Sequence, residues 1–295
     1  MAYRSTKKPG GRSRLRQNVS AAPCRRNSGS RPMAKATDPM QDNPVRKKLS
    51  DGGTAWGTMA FEFFSAGLPQ VLGQAGAEFV ILDMEHSGVG LDTVKPVILG
   101  ARGTGCVPMV RVPGTHYHLI APALDAGAMG IMVPMVETRD QAERIAAWCR
   151  YRPEGVRGLA FSIAHDGYGG GDVKRKIRLA NRRTLVIALI ETATGIENVE
   201  EIMAVPGIDV GWLGHFDLTN SLGITAQFDH PKFRAAERRL IRACRQYGKA
   251  AGFLASSVGE AKAAVRCGFR CLCFSTDVGL MRNALAEGLA AVNRR

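Results

Sequence analysis

Phe79-Val-Ile-Leu-Asp-Met-Glu-His86 is a short apolar run that stops on two carboxylates and an imidazole within four residues. In a parallel sheet the strand interior is buried on both faces and reads as continuous Val, Ile and Leu, while polar chemistry collects where the strand's C-terminus opens into a loop. Asp83, Glu85 and His86 stand at such an opening. Later apolar runs end in the same way, and that repetition is the pattern of an enzyme whose site is assembled from strand ends.

Outward from this stretch, short apolar or β-branched runs alternate with longer segments of helical period, which argues for repeated βα units around a parallel sheet. Eight strands are expected, at residues 54–61, 79–83, 107–112, 130–133, 184–190, 210–213, 250–254 and 271–275, with helices between them such as 91–101, 141–150, 232–246 and 257–267. Eight units over about 240 residues is the size of a (β/α)8 barrel. A doubly wound open sheet is the competitor, but no G-x-G-x-x-G follows the first strand, where a dinucleotide fold carries one. The longest irregular stretch, residues 151–171, contains Arg157, Gly158, His165 and Gly169-Gly-Gly171. It reads as a mobile loop over the barrel mouth, with a simple insertion as the alternative.

With 45% apolar, 22% charged and 6% aromatic residues in a chain of 295, one sizeable core can form and nothing demands two domains. The net charge of +14 would suggest a nucleic-acid partner if it were spread evenly. It is not: residues 1–48 hold 13 Lys/Arg against Asp38 and Asp42, which leaves the remainder at only +3. Residues 1–43 mix Arg, Lys, Ser, Gly and Pro with few large apolar side chains, so they are expected to form a disordered basic tail ahead of a single domain spanning 44–295. An organelle transit peptide, or a start assigned too early with Met33 or Met40 as the true one, fits the same composition. No stretch has the roughly 18 to 20 apolar residues of a membrane span. The seven cysteines form no C-x-x-C pair, which favours reduced thiols in a cytoplasmic core; Cys267, Cys271 and Cys273 are read as packing rather than as metal ligands.

The strand ends supply Asp83, Glu85 and His86 after strand two, Arg111 in strand three, Glu191 after strand five and Asp217 after strand six. Glu191 abuts Leu185-Val-Ile-Ala-Leu-Ile190, where a carboxylate is desolvated unless a cation faces it. Asp217 lies in Trp212-Leu-Gly-His-Phe-Asp-Leu-Thr219, where Gly214 permits close backbone approach and Asp217 is placed to open a helix. Two carboxylates from neighbouring strands suit a hard ion such as Mg²⁺, which takes one or two carboxylates plus substrate oxygens and water. Taken singly, Asp217 also fits a helix cap, Glu191 a structural ion pair and His86 a hydrogen-bonded loop histidine. Arg111, set between Val110 and Val112, needs anionic company inside a barrel, and a substrate carboxylate or enolate would provide it.

These motifs, in this order, resemble a known family. Asp83-x-Glu-His86, Val110-Arg-Val-Pro113, Leu124-Asp-Ala-Gly127, Val133-Pro-Met-Val136, Pro153-x-Gly-x-Arg-Gly158, Ile190-Glu-Thr192, Gly214-x-x-Asp-Leu218 and Gln227-Phe-Asp-His-Pro231 are similar to those of the HpcH/HpaI-type class II pyruvate aldolases. These are the 4-hydroxy-2-oxoheptanedioate and 2-dehydro-3-deoxyglucarate aldolases of the citrate lyase β-subunit superfamily. The resemblance implies a (β/α)8 TIM barrel of the phosphoenolpyruvate/pyruvate type, assembled as a homo-trimer or homo-hexamer. It implies metal ligation by Glu191 and Asp217 to Mg²⁺ or Mn²⁺, with Co²⁺ a further candidate. Backbone N–H groups of Phe216 and Asp217 would hold the substrate carboxylate, Arg111 would stabilise the enolate, and His86 would act as general base with Asp125 raising its basicity. Substrates would be a 2-oxo acid and an aldehyde, with no membrane and no nucleic acid as partner. Carbon–carbon cleavage leaves charge on an enolate that a Lewis acid and a guanidinium can stabilise, and a base titrating near neutrality removes the 4-hydroxyl proton. No strand offers a lysine for a Schiff base.

Family members often have Pro and a small residue where this chain has His215 and Phe216, and some carry Gln at the position of Leu189. His215 is kept outside the metal set. Two other readings stand beside the aldolase: a CoA-ester lyase of the citrate or malyl type, and a nucleic-acid-binding protein acting through its basic tail.

Overall fold

The structure, a computed structural model, describes residues 40–293. In chain order the first half comprises helix α1 (Pro44–Ser50), strand β1 (Ala55–Ala60), α2 (Leu68–Gln74), β2 (Phe79–Asp83), α3 (Leu91–Gly100), β3 (Val107–Arg111), α4 (Tyr117–Asp125), β4 (Gly130–Val133) and α5 (Arg139–Trp148). A 3-10 turn (Ala164–Asp166) and α6 (Val173–Arg183) then lead into β5 (Leu185–Ile190), α7 (Ala193–Glu197), α8 (Val199–Ala204) and β6 (Val210–Leu213). Helices α9 (His215–Ser221) and α10 (Pro231–Gln246), β7 (Ala250–Ala255), α11 (Val258–Cys267), β8 (Cys271–Thr276) and α12 (Asp277–Asn293) complete it. The eight strands close in sequence order into one barrel, every neighbouring pair parallel.

Side chains alternate across a strand, and that alternation sorts the core into two shells. Phe79, Ile81, Met109, Ile187, Leu189 and Trp212 fill the lumen, whereas Val80, Leu82, Val110, Ala188 and Ile190 face the surrounding helices. Full burial of each such branched or aromatic side chain contributes about 1.5–3 kcal/mol. Continuing the lumen parity by one step, Ile81 leads to Asp83, Met109 to Arg111 and Leu189 to Glu191. Three ionisable groups are therefore carried on the inner face at the C-terminal rim. None of the eight strands contains a lysine.

Helix α1 seals the opposite end. Val45 and Leu49 pack into the lumen cluster with Ala55, Phe79, Val107, Leu185, Val210, Ala250 and Cys271, the first residues of seven strands. Asn43 caps α1 and donates from its amide to Met129 O and Arg183 O, both at 3.0 Å, and Met40 is buried beside Tyr151 and Ala180. Packing against the barrel thus reaches back to Met40, ahead of the boundary expected at residue 44. The remainder of the expected basic tail, with any nucleic-acid role, lies outside the described residues, as do residues 294 and 295.

The long stretch after α5 corrects one expectation. Helix α5 runs antiparallel to β4, so its end lies on the sealed side of the barrel. From there Tyr151 and Asn181 exchange hydrogen bonds of 2.8 and 2.9 Å, and Arg183 donates to His165 O at 2.5 Å. Residues 151–171 cover the sealed end and outer wall, not the mouth. Cys271 and Cys273 are buried in β8 as expected, but Cys267 is exposed at the end of α11.

Helix α12 leaves the barrel after its first turn. Every residue from Met281 to Asn293 is exposed, including the apolar Met281, Leu285, Leu289 and Val292. Beside its root, Trp56, Phe274, Val258, Ala261 and Val265 line an apolar cavity of about 540 Å³, edged by Lys262 and Arg266. No helix of the described residues is long and apolar enough to cross a membrane.

Candidate active site

Asp83 and Arg111 are register partners on β2 and β3. The fully buried Asp83 carboxylate accepts from Arg111 Nε at 2.5 Å and from the backbone N–H groups of Glu85 and His86 at 3.2 and 2.9 Å. One acid therefore fixes both the guanidinium and the turn that carries the other two ionisable groups. Arg111 Nη1 lies 3.3 Å from Glu85 Oε2, and the Phe61 ring stands 5.3 Å from the guanidinium carbon. Arg111 Nη2 is buried with no hydrogen-bond partner among the described residues.

Glu85 Oε2 is also 3.6 Å from His86 Nε2, so this carboxylate stands between a cation and an imidazole. Burial raises the pKa of Glu85; the Arg111 and His86 charges pull it down, and those of Asp83 and Asp217 push it up. The His86 ring is more than half exposed toward the mouth.

Glu191, at the end of β5, is buried and accepts the Met135 N–H at 2.8 Å. Burial pushes its pKa up to about 7, against the Met135 hydrogen bond; the Glu85 and Asp217 charges push the same way, and Arg111 opposes them. Met135 holds this N–H in place from a left-handed backbone, φ 55°. Gly214 follows β6 beside Glu191, where a Cβ would stand only 2.6 Å from Glu191 Oε2. Only glycine leaves that carboxylate its space. Gly214, rather than Asp217, is the N-cap of α9; Asp217 lies in the first turn, exposed, with its charge felt by Glu85 and Glu191.

The expected residues Glu191, Asp217, Arg111 and His86 thus gather at one rim, with Phe216 on the same turn as Asp217, exposed. Asp125 does not join them within one chain. It ends α4, and its carboxylate is held by Arg157; the acid beside His86 is Glu85. The His215 ring packs among Phe216, Phe228 and Phe253 at 4.7, 5.4 and 5.0 Å, and its burial lowers its pKa. Among the described residues no three His, Cys, Asp or Glu side chains are arranged to hold an ion by themselves.

Sequence reasoning missed Phe61, Met135 and Asp277. The first closes the face of Arg111 and the second contributes a backbone group. Asp277, which follows β8 as Asp83 closes β2, was accessible to the same reading of strand ends.

Comparison with known proteins bears on this geometry. Residues 63–284 match the HpcH/HpaI aldolase/citrate lyase family. Hydroxypyruvate/pyruvate aldolase of Roseobacter denitrificans is 33% identical over 244 residues, covering 82% of this chain and 93% of that protein. A 5-keto-4-deoxy-D-glucarate aldolase of Klebsiella pneumoniae is 33% identical over 215 residues, 73% of this chain and 83% of its own. Among solved structures, an HpcH/HpaI aldolase from Desulfitobacterium hafniense superposes with a TM-score of 0.80 at 28% identity, covering 85% of this chain and 96% of that one. A barrel with carboxylates and an arginine converging on its open rim, matched to aldolases over most of its length, belongs to the HpcH/HpaI aldolase/citrate lyase family and is a carbon–carbon lyase of the aldolase type.

Proposed function

We propose that this enzyme reversibly cleaves a 4-hydroxy-2-oxo acid, of the dihydroxyheptenedioate or 2-keto-3-deoxy sugar acid type, to pyruvate and an aldehyde with the help of a divalent cation. The observation that carries the reading is the Arg111 Nη2 donor, buried and without a partner among the described residues, beside the group formed by Glu85, Glu191 and Asp217. A buried guanidinium N–H left open is costly unless an anion arrives to accept it.

The acids at the rim are oxygen donors, and the Asp217 charge raises the proton affinity of both Glu85 and Glu191, a set suited to a hard ion such as Mg²⁺, Mn²⁺ or Co²⁺. Glu191 and Asp217 would hold it, and when bound it would polarise the 2-oxo group as a Lewis acid. Arg111 Nη2 donates to the enolate oxygen as charge collects there. His86 takes the 4-hydroxyl proton, the C3–C4 bond breaks with its electrons passing into the enolate, and the aldehyde forms; the same proton returns to C3 to give pyruvate. Glu85 stands 3.6 Å from the imidazole Nε2. The substrate carboxylate sits against the backbone N–H groups of Phe216 and Asp217. Asp125 is left out of the set acting within one chain.

The enzyme assembles with itself in this reading. The face of α12 carrying Met281, Leu285, Leu289 and Val292 and the cavity lined by Trp56 and Phe274 are both apolar and uncovered in one chain, and α12 of a second copy is the occupant. Reciprocal exchange pairs subunits, and three such pairs would make the hexamer, one of the two assemblies expected, trimer or hexamer. Buried free thiols such as Cys106 and Cys244 suit a reducing, cytoplasmic location.

The test is pyruvate release from a panel of 4-hydroxy-2-oxo acids, with chelator and with Mg²⁺, Mn²⁺ or Co²⁺ restored. Chelator-sensitive release is expected. Absence of metal-dependent pyruvate chemistry across the panel, or turnover of a malyl-CoA-type thioester instead, would overturn the proposal.

A further inference from the structure

Asp277 is the first residue of α12 and is buried at the barrel rim. Its Oδ1 accepts the N–H groups of Phe61 and Val278 at 3.0 and 2.8 Å; its Oδ2 accepts those of Glu62 and Phe63 at 3.0 and 2.8 Å. Three successive N–H groups of the turn after β1 are thus gathered on one carboxylate, a concavity that ordinarily receives an anion. Phe61 is the residue of that turn whose ring packs against the lumen cluster and lies 5.3 Å from the Arg111 guanidinium. Arg111 is therefore gripped along its edge by Asp83 and Glu85 and across its face by Phe61, and the position of Phe61 is set from the root of α12.

We infer that Asp277 is a positioning residue for Arg111: by fixing the turn that carries Phe61 it holds the guanidinium where the enolate oxygen forms, and it ties turnover to the seating of α12. This rests on the reading of Arg111 as the enolate-stabilising group.

The test is a double-mutant cycle on the assembled enzyme. Asp277→Asn places an amide N–H against two of the loop N–H groups. It is expected to lower kcat by about 10- to 100-fold, the scale of a misplaced catalytic group, with KM for the 2-oxo acid changed by less than about 3-fold. In an Arg111→Lys background the same substitution should cost less than about 2-fold, because the geometry it protects is already lost. Phe61→Leu, which leaves Asp277 intact, should reproduce the fall in kcat and the non-additivity, and it decides the matter should Asp277→Asn fail to fold. Equal losses from Asp277→Asn in both backgrounds, a rise in KM alone, or full activity in Phe61→Leu would overturn the inference. Wild-type kcat in Arg111→Lys would instead remove the reading of Arg111 on which it rests.

Discussion

Asp83 and Arg111 occupy partner positions on adjacent parallel strands, and the Nε of one meets the Oδ1 of the other at 2.5 Å inside the barrel. The pair is shielded from solvent, so its integrity is structural as well as chemical. Removing one member of a buried pair leaves an uncompensated charge.

Asp83→Ala should therefore destabilise the fold by about 3–5 kcal/mol and lower activity through the freed guanidinium and the slackened turn at Glu85 and His86. Denaturant unfolding followed by circular dichroism checks the first effect. A loss well under ~1 kcal/mol would mean that solvent reaches the pair.

Glu191 gives a pH signature in the metal-free enzyme. Its pKa rises from 4.5 to about 7 on folding, so the folded state holds a proton that the unfolded state has released. The stability it contributes is complete below pH 4.5 and is lost as pH rises through about 7, amounting to about 3 kcal/mol at 1.36 kcal/mol per unit. Glu191→Gln should be more stable than the parent at pH 8, with the advantage gone at acid pH, while losing metal affinity. Melting curves across pH with chelator, paired with titration calorimetry, test both signs.

His86→Ala should reduce kcat by about 10²- to 10⁴-fold, the usual worth of a positioned base, and leave metal affinity unchanged. Steady-state kinetics beside calorimetric metal titration separate the two. Equal losses in both would return His86 to the role of a structural loop histidine.

Leu285→Glu with Leu289→Glu should break the proposed self-association, because each places a charge on the apolar face of α12 that is exposed in one chain. Light scattering after size-exclusion chromatography gives the mass. An unchanged mass would mean that α12 contributes nothing to assembly.

Strands were the most legible part of the sequence, since a barrel strand is apolar throughout and stops at a polar rim. β2, β4 and β6 fall at the expected residues and the others within one residue at either end. The placement of Glu191, Arg111 and His86 at that rim was legible for the same reason. Helix α6 went unread although Val173, Ile177 and Ala180 recur at helical spacing among its Lys and Arg residues; it packs through Ile177 and Ala180 against Tyr151 and Met40, contacts that the local pattern does not specify. The partner of Asp125 was hidden similarly, because Arg157 lies 32 residues away across an irregular stretch. Phe61 and Asp277 meet only because β1 and β8 close the barrel, a juxtaposition that belongs to the ring and not to any segment of it.

The floor built by Val45 and Leu49 makes the lumen a dead end, so reactants and products share a single doorway. If the oxo acid is held against Arg111 as proposed, that three-carbon fragment departs last, and the aldehyde standing nearer the opening departs first. Traffic in the synthetic direction would then queue in reverse, oxo acid before aldehyde, and a trapped oxo acid would obstruct the next arrival.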